Sequence, residues 1–308
     1  MRVDTDLLDS LVKHATGYQD RANVFHVEQP AMAASLKSAI ELTTLIWPWF
    51  DYCSMRPEAV SNAMVASFLL PNDGGLQVFG ASGAIAAAMR GVATRKPLEQ
   101  DERKADRKKL SALAESAARI LADAHQAPDE ELRFERLWQL KAQGMTLKGE
   151  RTSTALLQVT GAFRRYVHGL PVLGRASVHV TIGADSAVTR WGVDWRRING
   201  KAVAETPVVD PAEGARRVMA DLTRRRPEKP FTLADFTPSA FMLGYVSMPR
   251  RQKQSILQPA WVAMLEPAGG TTRGQVVAVP AAPDAFEPLF RAGRPARGVE
   301  GRNPPGTP

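Results

Sequence analysis

The side chains best suited to moving a proton or holding a metal at neutral pH are five histidines: His14, His26, His125, His168 and His179. A helical metal site needs two ligands three or four residues apart, so that both leave one face. No two histidines stand at that spacing, and no H-E-x-x-H occurs. No metal and no cofactor are therefore expected. The single cysteine, Cys53, permits no intrachain disulfide and no cysteine zinc site. It closes Trp47-Pro48-Trp49-Phe50-Asp51-Tyr52-Cys53, an apolar neighbourhood that predicts a buried, inert thiol. Gly80-Ala81-Ser82-Gly83-Ala84 could approach a phosphate, but it lacks the Lys-Ser/Thr ending of a P-loop and the G-x-G-x-x-G spacing. Because residue 84 is alanine, Ser82 is not in a G-x-S-x-G nucleophile turn either. The segment reads as a glycine-rich helix entry.

Trp191 and Trp195 bracket Arg190, Arg196 and Arg197, a mixture that could stack on bases. The two tryptophans share the strand parity of Val193, however, which directs them to a core. An enzyme would have to gather His168, His179 and Asp185 into one pocket between two halves of the chain, and no nucleophile is identified beside them. His179 falls on the outward parity of its strand, opposite Arg190, and reads as an exposed structural residue. An enzyme is not favoured.

These residues must be positioned by elements, and apolar spacing gives the first outline. Helices are predicted over 4–20, from Pro30 to about Ile46, from Pro57 to Leu70, from Ser82 through Met89, over 97–125, and from Pro128 to near Gly144. Pro71-Asn72-Asp73-Gly74-Gly75 is a turn. After residue 150 the period changes from 3.6 to 2. Strands are predicted over 153–167, around Val178-Val180-Ile182 and around Trp191-Val193-Trp195, and further on at Phe241–Ser247, Ala260–Leu265 and Gln275–Val279. A hairpin closed at Gly183-Ala184-Asp185-Ser186 would put Val178 opposite Trp191. Asp210-Pro211-Ala212-Glu213 has the order of a capping box opening one more helix.

Hydrophobic residues make up 44% and charged residues 23% of the 308, a globular composition large enough for two domains. The formal charge is +8, which permits acidic partners, nucleic acid or anionic lipid included, without requiring one. The basic run Arg103–Lys109 is interrupted by Asp106 and preceded by Asp101 and Glu102, so it reads as a solvated helix face. Arg224-Arg225-Arg226 closes a helix, where cations suit the dipole. Nucleic acid is thus not the favoured partner. Residues 1–6 do not resemble a secretory leader, and Leu42 to Phe50 is too short for a membrane span of about 20 residues. Cytoplasmic residence is the expectation.

Four segments carry a resemblance to a known family. They are Phe163-Arg164-Arg165-Tyr166-Val167-His168-Gly169-Leu170-Pro171-Val172-Leu173-Gly174, then Ser177–Gly183, then Asp210-Pro211-Ala212-Glu213-Gly214-Ala215, and last Leu243-Gly244-Tyr245 with Leu257–Val262. In this order they resemble the PepSY and fungalysin/thermolysin propeptide-type modules over residues 153–280. The resemblance implies a helix laid across a curled antiparallel sheet, no catalytic residues, and engagement of a peptidase or other protein or peptide partner.

The fold expected is therefore α+β: a helical N-terminal region over 1–150, a propeptide-like or cystatin-like α+β domain over 151–290, and a disordered basic tail over 291–308. The function expected is non-enzymatic binding or regulation. The contact surface expected is the turn of Gly169, Leu170, Pro171, Val172 and Gly174, because such a loop is exposed and pre-shaped.

Overall fold

The computed structural model describes residues 4–57, 64–71, 73–89, 96–175, 177–225, 231–268, 274–286 and 289. The chain begins with α1 (Thr5–Lys13), β1 (Ala15–Thr16), β2 (Arg21–Val27) and α2 (Met32–Ile46). Five strands frame the next helix: β3 (Arg56–Pro57), β4 (Val65–Leu70), β5 (Gly74–Phe79) and β6 (Ile85–Met89) precede α3 (Arg107–Asp123), and β7 (Glu130–Ala142) follows it. Then come β8 (Ala155–Val167), β9 (Leu170–Leu173), β10 (Val178–Ile182), β11 (Val188–Val193) and β12 (Ile198–Pro207). The last elements are α4 (Pro211–Arg225), β13 (Phe236–Val246), β14 (Ile256–Leu257), β15 (Pro259–Pro267) and β16 (Gln275–Pro280).

Thirteen of these strands form one mixed sheet in the order β16-β15-β13-β9-β8-β10-β11-β6-β5-β4-β3, with β1 on β13 and β7 on β8. A second sheet has the order β12-β2-β14. Strand β8 is the organising element. One of its edges pairs with β7 along most of its length, and the other is shared by β10 and β9. The sheet therefore forks, and each branch has its own core. On the β10 branch, Val159, Phe163, Val178, Val180, Trp191 and Ile85 pack beneath α2 and α3. On the β13 branch, Phe241, Leu243, Trp261 and Val277 pack with α1 and α4. Each such large apolar side chain contributes roughly 1.5–3 kcal/mol on leaving water.

Several helix boundaries follow their capping residues. Asp4 accepts from the Leu7 amide at 3.0 Å, Asp106 from that of Lys109 at 2.9 Å, and Asp210 from that of Glu213 at 2.7 Å. The first helix stops at Lys13 rather than continuing to 20, because Ala15 and Thr16 pair in parallel with Phe241 and Met242. Helix α3 starts at Arg107, ten residues later than its apolar pattern suggests, since Glu99 is bridged to Leu156 instead.

The expectation of a helical N-terminal region with a separate curled sheet is overturned. The N-terminal half supplies seven strands of its own, and six of them join the same large sheet as the C-terminal half. A boundary at 150 would cut the β7–β8 hairpin, whose pairing runs from Glu130↔Val167 to Ala142↔Ala155. Three predicted helices are strands: the end of the 57–70 segment is β4, Ile85–Met89 is β6 and Glu130–Ala142 is β7. Residues 58–63, and the expected basic tail at 291–308, lie outside the described residues. Cys53 is also exposed rather than buried: it sits on a short turn whose amide is held by Asp51 at 3.0 Å.

Candidate ligand-binding cleft

Successive side chains of a strand leave opposite faces of the sheet. On the β10 branch, one face is closed by α2 and α3, and the pairing register fixes what lies on the other. Two cross-strand rows run across it. The first passes through Trp138, Thr160, Thr181, Arg190, Ala88 and Gly75, and the second through Arg136, Ala162, His179, Gly192, Ala86 and Gln77. Glycine and alanine fill five of these twelve positions: Ala88 and Gly75 in the first row, and Ala162, Gly192 and Ala86 in the second. These small residues leave a depression of about 630 Å³, within the size range of ligand pockets.

One wall is β7. A bulge between Phe134 and Arg136 places an extra residue there, so Glu135 and Arg136 both line the cleft. Glu135 accepts from Arg164 at 2.5 Å and from Arg136 at 3.1 Å, while Arg164 also holds the carbonyl of Val172 at 2.9 Å. Burial pushes the Glu135 carboxyl up, but the two arginines outweigh it and hold the pKa below its ordinary value. The Arg136 guanidinium lies 5.4 Å from the Trp138 ring centre.

The opposite wall is the loop after β13. Arg250 reaches from it to Asp194 in a two-bonded pair, at 2.5 and 2.7 Å, and lies 5.2 Å from the centre of the Phe79 ring. Buried Arg196 secures this loop. Its guanidinium donates to the carbonyls of Met248, Pro249 and Gln252 at 3.1, 3.0 and 2.7 Å, and to Ala81 at 3.2 Å. Two more cations line the cleft, Arg190 from the floor and Arg175 from the β9–β10 connection. Among the described residues no carboxylate pairs with either. Five arginines thus face two carboxylates, Glu135 and Asp194.

His179 lies in the floor, against the backbone of Gly192. A Cβ on Gly192 would stand 2.3 Å from the imidazole Cε1, so only glycine leaves room for the ring there. Burial, with the charges of Arg250, Arg190 and Arg175 and against that of Asp194, lowers the His179 pKa from 6.5 to about 4. The ring is neutral at pH 7. Beside it Thr160 and Thr181 spend a hydroxyl contact on each other, at 2.8 Å. The cleft can therefore offer positive charge and hydrogen bonds to an anionic group.

The residues predicted to form a contact turn are distributed along β9 and its ends. Leu170 and Val172 are buried in the core, Pro171 pairs with Tyr166, and Gly169 forms a tight turn with His168 at positive φ. Only Gly174 lines the cleft. His168, His179 and Asp185 are not gathered into one cavity: His168 stacks on Phe25, Asp185 pairs with Lys96 at 3.0 Å, and only His179 is in the cleft. Arg175 and Arg250 were not singled out in the sequence, Arg164 entered only within the resembling segment, and Arg190 only as a residue that could stack on bases. A signal was present at Arg190 and Gly192, which alternate with Trp191 and Val193 on the outward parity.

No protein-family profile matches this chain, and a comparison with curated proteins found no match. Among solved structures the chain is similar to an uncharacterized protein from Eubacterium rectale, determined by crystallography at 1.45 Å resolution. The two are 11% identical with a TM-score of 0.48, over 89% of this chain and 94% of that one.

Proposed function

We propose that this is a non-enzymatic binding protein whose cleft receives an acidic segment of a protein or peptide partner. The observation that carries the reading is Arg190, a cation with no carboxylate partner among the described residues, on a floor rich in glycine and alanine, with Arg175 lining the same cleft. Strands normally fill such positions with larger side chains that pack. Here small residues leave space, and the five arginines around it face only two carboxylates. Arg136, Arg164 and Arg250 are already held by carboxylates or carbonyls, so they are pre-oriented and lose little freedom when a ligand arrives. The resemblance of residues 153–280 to propeptide-type modules suggests the same class of partner, but the proposal does not depend on it.

Trp138 stands at the rim, half exposed, and reports on occupancy. Titration with a short oligoglutamate peptide should change its fluorescence saturably, and the affinity should fall as salt rises. An oligolysine peptide should have no effect. Equal responses to both peptides, or none to oligoglutamate, would overturn the proposal.

A further inference from the structure

A second, smaller pocket of about 180 Å³ lies on the other side of the β5–β6 turn, between the start of α2 and the residues that follow α3. Its lining includes Ser35, Ser82, Gly83, His125, Arg197 and Glu28. Ser35 is 5% exposed, and its hydroxyl has no hydrogen-bond partner. Neither ring nitrogen of His125 has one, although both are shielded from solvent. Buried polar atoms are nearly always paired. Three orphaned atoms around one cavity indicate that something polar completes it.

The charge of the surroundings narrows what that is. Helix α2 begins at Met32, and its N-cap residue, Ala31, supplies no side-chain cap, so its positive dipole end is not neutralised there. The Arg197 guanidinium, which holds the carbonyl of Ala124 at 3.0 Å, adds a full positive charge. Ser82 accepts from the Ala84 amide at 3.2 Å through its oxygen, which leaves its proton available. Gly83, at φ +69°, keeps the mouth clear: a Cβ there would strike Pro30 at 2.8 Å and approach the Ser35 hydroxyl. Glu28 is the single carboxylate of the lining. The volume matches about six waters at ~30 Å³ each, which is room for one tetrahedral anion and part of its hydration.

We propose that this pocket binds a small oxyanion, a phosphate or sulfate group, against the start of α2, with Ser35, Ser82 and His125 as hydrogen-bonding partners. The site is separate from the cleft. Burial, together with Arg197 and Arg165, lowers the His125 pKa to about 4. An anion opposes those charges, so binding should raise the pKa and take up a proton.

The test is NMR of the His125 ring in a buffer free of phosphate and sulfate, titrated separately with inorganic phosphate, inorganic sulfate and phenyl phosphate. At least one should shift the His125 signals saturably and move its titration midpoint upward. A response to the inorganic ions identifies a free-ion site, and one to phenyl phosphate alone identifies a terminal-group site. Ser35→Ala should weaken binding roughly tenfold or more, as expected for loss of a hydrogen bond to a charged group. Glu28→Gln should tighten binding by removing repulsion. Because Glu28 is exposed, that variant also preserves the test if Ser35→Ala does not fold. Arg190→Glu in the cleft should leave this binding unchanged, which separates the two sites. No saturable response to any of the three compounds would mean that the pocket holds only water, and the proposal fails. It also fails if Ser35→Ala binds as well as the parent, or if Glu28→Gln does not bind more tightly.

Discussion

The two faces of the β8-β10-β11-β6 region are made by the same strands, yet they obey different rules. On the covered face Val178, Val180, Trp191 and Phe163 are large, apolar and nearly inaccessible, and α2 and α3 close over them. On the open face the alternate positions are Thr181, Arg190, Gly192, Ala86 and Ala88. Ion pairs differ in the same way. The pair of Arg165 and Glu130 is almost fully buried and is completed by Trp195 Nε1 and by the carbonyl of Arg196. Arg250 with Asp194 borders the cleft and remains partly accessible. One face is optimised for packing and the other retains charge and space, so stability and binding should separate by face.

Trp191→Ala on the covered face should cost about 3–5 kcal/mol by leaving a cavity. Glu130→Gln should cost a similar amount, about 3–5 kcal/mol, by leaving the buried Arg165 charge uncompensated. Denaturant unfolding measures both. Next is the effect of pH. His179 and His125 titrate near 4 when folded, against 6.5 as their ordinary value. Between those values the unfolded chain binds more protons. The stability these neutral rings contribute is therefore complete above pH 6.5 and is lost as pH falls toward 4. Each accounts for up to about 3 kcal/mol, and His179→Asn or His125→Asn should flatten the slope of stability against pH. Gly192→Ala should cost about 1–3 kcal/mol through overpacking against the His179 ring. The last is Arg190→Glu, which should alter stability by no more than about 0.5 kcal/mol while weakening the binding of an acidic peptide.

What could be read from the sequence followed from how each element is buried. Helix α4 was legible because Asp210-Pro211 opens it and one apolar stripe faces the sheet. The β10–β11 hairpin was legible in parity, since Val178, Val180, Trp191 and Val193 all face the helices. Its register was displaced by two residues: Val178 pairs with Val193, because the connection is wider than a tight turn and a shift falls between Thr181 and Ile182. Strand β6 was misread because Ile85-Ala86-Ala87-Ala88-Met89 combines good helix formers. Its alanines serve a strand that is packed against a helix on one face and floors a cleft on the other. Strand β7 was misread because its bulge turns the period-2 spacing of Leu132 and Phe134 into the three-residue step from Phe134 to Leu137. The cleft was hidden for a different reason: its arginines come from β7, β8, β11 and two loops, and only the sheet order brings them together.

The proposed division of labour between the two faces leaves the cations Arg175 and Arg190 to serve binding and to contribute little to folding. It is tested most directly by calorimetric titration of oligoglutamate into the parent and the Arg175→Glu/Arg190→Glu double variant, with thermal unfolding of both proteins alongside. The expected result is measurable binding by the parent, its loss in the variant, and melting temperatures that nearly coincide. Undiminished binding by the variant, or a melting temperature that collapses with the affinity, would contradict it.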